Sequence, residues 1–121
     1  MAYKHFTEMP VWQRAHAMVL LVYKLTNTFP ESEKYVLTSQ MRRAAVSMTS
    51  NIAEVFGRHT SKDKVRFYLH ARGSCYEVQN QSYVARDLNY VTPADLVELH
   101  QGLDEVVYDL NKIMKTLSTR S

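Results

Sequence analysis

The chain has 121 residues, 45% hydrophobic and 22% charged, with a formal net charge of +3 at pH 7. That length predicts one domain whose core can form without disulfide or metal staples. Three glycines and three prolines are too few for an all-β fold, which needs turn residues about every 10 positions.

The first apolar stripe is Val11, Ala15, Met18, Val22, Leu25 and Phe29, widened by Trp12, Val19 and Tyr23. Its spacings of four and three predict a helix over about 10–28. Thr7 or Glu8 is the candidate cap and Pro10 suits a first turn. Phe29-Pro30 ends the helix, because proline disfavours the α region for the residue before it. A second stripe, Leu37, Met41, Ala44, Ala45, Met48, Ile52 and Val55, predicts a helix over about 35–56, stopped by Gly57.

The third predicted helix covers about 61–88. Thr60 or Ser61 is its cap, and Asp63 offsets the dipole in its first turn. One stripe is Phe67, Ala71, Ser74, Val78, Gln81, Ala85 and Leu88. A second face holds Val65, Tyr68, Leu69, Cys75, Tyr76 and Tyr83. Gly73 in mid-helix costs about 1 kcal/mol relative to alanine and is tolerated best where another backbone packs close. The fourth helix, about 93–117, has the most regular pattern: Leu96, Leu99, Leu103, Val106, Leu110, Ile113 and Leu117. Thr92-Pro93 is a cap followed by proline at the first helical position, and Lys112, Lys115 and Arg120 suit the negative end of the dipole. The short links between these segments predict an all-α, antiparallel up-and-down four-helix bundle over 1–121, and a repeat near 3.5 implies left-handed packing.

Charge is unevenly spread. Residues 1–72 hold eleven Lys and Arg against five Asp and Glu, whereas residues 73–121 hold four against seven. Arg58, Lys62, Lys64, Arg66 and Arg72 cluster with only Asp63 among them. Such a run is either a solvated helix start or a contact surface for a polyanion. The apolar excess also has two readings. The third helix has two greasy faces, and the first adds Ala17, Leu20 and Leu21 around its circumference. Copies of the chain would cover these faces, or the eight tyrosines lie on the surface with their hydroxyls in water.

No arrangement for catalysis emerges. Glycines at 57, 73 and 102 make no phosphate-cradling loop, and no Glu-x-x-His pair supplies a di-iron site. His5, His16, His59, His70 and His100 show no zinc spacing, so no metal or cofactor is expected. Cys75, the only cysteine, reads as a small core residue without a neighbouring base and fits a reducing cytoplasm. No signal peptide is expected, and no apolar run approaches the ~20 residues of a membrane span. Gln40, Arg43, Ser47, Asn51, Glu54 and Arg58 form a polar stripe on the second helix. It is either a solvated face or a buried or interfacial network, in which Ser47 and Asn51 would bond across helices and Glu54 would pair with an arginine.

The run from Gln40 to Glu54, Q-M-R-R-A-A-V-S-M-T-S-N-I-A-E, resembles the Q-L-R-R-A-x-x-S-x-x-S-N-I-A-E-G signature of four-helix proteins encoded in bacterial 23S rRNA intervening sequences. Val11-Trp12-Gln13-Arg14-Ala15 is similar to that family's opening. Phe29-Pro30 with Glu33-Lys34-Tyr35 is similar to its link, and Arg66-Phe67-Tyr68-Leu69 through Gly73-Ser74 and Glu77 to its third helix. Val55 and Val36 stand where the family usually has glycine. The resemblance implies a homopentameric bundle and kinship with accessory variability proteins of diversity-generating retroelements, basic pentamers that bind nucleic acid and a reverse transcriptase. The resulting expectation is a non-enzymatic oligomer binding nucleic acid, RNA before DNA, through Arg42, Arg43, Arg58, Lys62, Lys64, Arg66 and Arg72. The alternative is an adaptor for a protein from a neighbouring gene.

Overall fold

The computed structural model describes residues 3–119; Arg120, placed by sequence near the end of the last helix, lies outside them. The helices are α1 (Pro10–Thr26), α2 (Leu37–Val55), α3 (Ser61–Asp87) and α4 (Pro93–Ser118). Each starts where the local chemistry permits. Thr60 caps α3 by accepting from the Asp63 amide. Thr92 and Asp95 form a reciprocal capping box before α4, with Pro93 at the first helical position.

The start of α1 corrects one expectation. Thr7 and Glu8 lie in a 3-10 turn, Phe6–Glu8, and Met9 is the N-cap with no side-chain cap bond. Met9 has no side-chain oxygen to accept from the first free amides, and the candidates upstream are engaged elsewhere: Glu8 accepts from the Lys4 amide at 2.8 Å and the Thr7 hydroxyl lies 2.9 Å from His5 Nδ1. A second 3-10 turn, Glu31–Glu33, delays α2 until Leu37.

Each helix packs on its two neighbours in sequence, and α1 packs on α4 to close the square. The buried centre comprises Val22 from α1, Met41, Met48 and Ile52 from α2, Cys75 and Val78 from α3, and Leu99 to Leu110 of the α4 stripe. Near the C-terminal end the α4 stripe shifts, so that Met114 is buried and Ile113 and Leu117 are half-buried. Where α1 meets α4, a Cβ on Gly102 would lie 2.1 Å from Met18 Sδ. A bare backbone at this position admits the methionine side chain. At one end, Phe29 and Tyr90 pack with ring centroids 5.2 Å apart, and the Tyr90 hydroxyl donates to Glu33 at 2.9 Å. These contacts tie the two links at that end together.

The second apolar face of α3 divides. Tyr68 and Cys75 turn inward and are buried, while Leu69, Tyr76 and Tyr83 are exposed. Among the extra residues of α1, Leu21 is buried and Leu20 is exposed.

Candidate nucleic-acid interface

The polar stripe of α2 lies along the seam with α3. Ser74, opposite it, places its Oγ 2.9 Å from Ser47 Oγ and 3.1 Å from the His70 carbonyl, with one proton shared between the two acceptors. The cross-helix bond expected of Ser47 is therefore present. Asn51 differs: its amide donates backwards along α2, to the Ser47 carbonyl at 2.8 Å and Ser47 Oγ at 3.1 Å. A short amide four residues on reaches its own helix more readily than the next one. Ser47 and Asn51 are half-buried, whereas Gln40 and Arg43 are exposed. The stripe is thus neither wholly solvated nor wholly core. One buried polar atom on the facing helix, Gln81 Oε1, has no hydrogen-bond partner among the described residues.

The seven predicted cations do not form one patch. Arg58, Lys62, Lys64 and Arg66 gather where α2 ends and α3 begins, but acids occupy two of them. Arg58 pairs with Glu54 and lies 3.7 Å from Asp63; Arg66 is bonded to the same Asp63 at 2.9 Å. Both guanidiniums also cover the Phe67 ring, at 4.4 and 4.6 Å from its centroid. Arg72 donates to Asn111 on α4 at 2.8 Å. Arg42 lies in the α1–α2 groove, bonded to Thr26 Oγ1 at 2.9 Å and stacked 4.6 Å from the Tyr23 ring. Lys64 is half-buried. Arg43 and Lys62 are exposed and make no ion pair or hydrogen bond among the described residues. Proximity in sequence revealed the α3 cluster; it could not reveal that Asp63 is shared between two arginines.

A pair that the sequence did not suggest joins α3 to α4. Ser82 Oγ lies 2.6 Å from His100 Nε2, and the Tyr83 ring packs 4.7 Å from the imidazole. Burial holds the His100 pKa below its ordinary value; the nearby Asp104 carboxylate pulls the other way, and Arg86 adds to the lowering. The geometry is structural. Ser82 is 1% exposed, and its hydroxyl also donates to the Gln79 carbonyl at 2.7 Å, so no substrate atom reaches it. The Cys75 thiol is buried, 3.3 Å from Met48 Sδ, and burial pushes its pKa up to about 12. A thiol of that kind is inert at neutral pH.

No group of three or more His, Cys, Asp or Glu side chains that could hold a metal exists among the described residues. No described helix is long and apolar enough to cross a membrane.

The profile of the 23S rRNA-intervening sequence protein family matches residues 7–112. The chain belongs to that family. A crystal structure of a protein of unknown function from the S23 ribosomal protein family of Bacteroides thetaiotaomicron superposes with a TM-score of 0.78. It covers 87% of this chain and 98% of its own at 18% identity, a likeness of fold. No curated protein matches the chain. Membership of the 23S rRNA-intervening sequence proteins accounts for the Gln40–Glu54 run and the four-helix architecture together; it names no activity.

Proposed function

We propose that the protein is a non-catalytic, self-assembling bundle that binds nucleic acid, RNA in preference to DNA, through cations repeated from copy to copy in the cytoplasm. The observation that carries this reading is the outward face of α3. Lys62, Arg66, Leu69, Gly73, Tyr76, Asn80 and Tyr83 follow one another at helical spacing, and all are exposed. Tyr76 is 51% exposed, and nothing lies within 4 Å of the position a Gly73 Cβ would take. A glycine bordered by exposed aromatics leaves room for a second backbone. Assembly on that face sets Lys62 of adjacent copies near one another, so a weak monomer charge becomes a repeated one. A ring of five is the assembly the family resemblance implies.

A protein–protein adaptor, serving a partner from a neighbouring gene, is the second reading. It is favoured by the loss of Arg58 and Arg66 to Glu54 and Asp63, which leaves fewer cations for phosphate.

Light scattering on the purified chain should give a multiple of the monomer mass, and Tyr76→Glu should reduce it. Affinity for a structured RNA should fall steeply from about 50 to about 300 mM salt, with a log–log slope of roughly −0.7 to −0.9 per neutralised phosphate. Combined Arg43→Glu and Lys62→Gln should abolish RNA binding, and light scattering on the same variant separates that loss from a loss of assembly. Salt-independent affinity rules out the electrostatic reading and leaves the adaptor.

A further inference from the structure

All four helices contribute to a cleft of about 630 Å3 at the end of the bundle where α1 begins and α4 finishes. Val11, Val55 and Ile113 give it an apolar wall, beside the 40% exposed ring of Phe56. A volume of this order suits a small organic ligand.

The polar part of the lining has a definite chemistry. Lys64 and Tyr68 both line the cleft and are four residues apart on α3, so they project from one face, one turn apart. Tyr68 is 4% exposed, and its hydroxyl, which is not among the fully buried polar atoms, faces the cleft with no hydrogen-bond partner among the described residues. Burial, with a smaller contribution from Tyr3, pushes the Tyr68 pKa up to about 12, so the hydroxyl keeps its proton and remains a donor at neutral pH. Lys64 is half-buried and forms no ion pair among the described residues. Arg14 and Lys112 also line the cleft, against one carboxylate, Asp109, which Arg14 already holds. An excess of cations, an idle donor and an apolar wall call for an anion with a hydrocarbon body.

We infer that the cleft binds a small amphiphilic carboxylate of the medium-chain fatty acid class. The Lys64 ammonium and the Tyr68 hydroxyl hold its head, and its tail lies against Val11, Val55 and Ile113. Arg43 and Lys62, on which the RNA reading depends, line no part of the cleft, so the two ideas stand or fall separately.

Decanoate, titrated into the full chain below its micelle-forming concentration, tests this. Calorimetry should show saturable binding of one molecule per chain, and NMR should show shifts in the methyl signals of Val11, Val55 and Ile113. Decanol and decyltrimethylammonium carry the same tail with no charge or the wrong one, and should bind at least about tenfold more weakly. Lys64→Met and Tyr68→Phe should each weaken decanoate by about tenfold, while Lys62→Met leaves it unchanged. Tyr68→Phe keeps the buried ring, and a thermal scan establishes that both variants are folded. The proposal fails if decanoate does not saturate, if decanol binds equally well, or if Lys64→Met binds decanoate like the parent. Binding of decyl phosphate without binding of decanoate also overturns it, by assigning the head to a phosphate.

Discussion

The surroundings of the His100 imidazole favour its uncharged form. Ser82 and Gln79 approach it from α3, Tyr83 packs on its ring, and burial outweighs the attraction of Asp104. Its pKa is lowered on folding, so the unfolded chain takes up this proton first as pH falls. Folding stability is then lost as pH drops from about 6.5, the ordinary histidine value, through the lower native one. His100→Gln should flatten that part of a Tm-against-pH curve relative to the parent, leaving the region above pH 7 unchanged; thermal scans at stepped pH measure it. Nothing in the spacing of residues signals this pair. Ser82 and His100 are eighteen residues apart on different helices, and only the register between those helices brings them together. The sulfur pair of Met48 and Cys75 was half-visible, since both occupy predicted core positions.

Helix ends show where local chemistry speaks plainly and where it does not. Thr92 is legible as a cap from the proline that follows it, and Thr60 is one of two candidates beside Ser61; the structure makes both threonines caps that accept from the amide of the acid three residues on. The finish of α3 is less legible. Leu88 becomes the C-cap and Asn89 takes a left-handed conformation, φ 62°. The amide of Tyr90 then reaches the Ala85 carbonyl at 2.8 Å, and that of Asn89 reaches Arg86 at 2.9 Å, a Schellman closure. Asparagine tolerates this region and alanine does not. Asn89→Ala should cost about 1 kcal/mol, while Asn89→Gly should be neutral or slightly stabilising; denaturant midpoints at constant slope distinguish them. The spacing places the start of the second helix at about residue 35, whereas α2 begins at Leu37, after a 3-10 turn at Glu31–Glu33. Pro30 and the following acids mark a break, but nothing in their spacing says how long the break lasts.

Across the whole molecule, the four apolar stripes were enough to specify the bundle, since burial at intervals of three and four leaves few other ways to pack helices joined by short links. The charged surface was harder to read. A run of like-charged residues looked like one patch, but ion pairs with Glu54 and Asp63, and the rotation of successive residues around α3, dispersed it. Gly73 tests what the outer face is for. With no neighbour within 4 Å in the single chain, Gly73→Ala should stabilise a monomer by about 1 kcal/mol through helix propensity alone. If copies pack there, the same change should weaken the assembly while raising monomer stability, a divergence visible by comparing unfolding with sedimentation across protein concentration.

The hydroxyl contact between Ser47 and Ser74 also acts as an alignment key. Slide α3 one turn along α2 and this bond is lost, leaving each hydroxyl only the partner in its own helix, Asn51 for Ser47 and the His70 carbonyl for Ser74. Two small polar side chains therefore add a directional preference for this alignment to the packing of the apolar stripes.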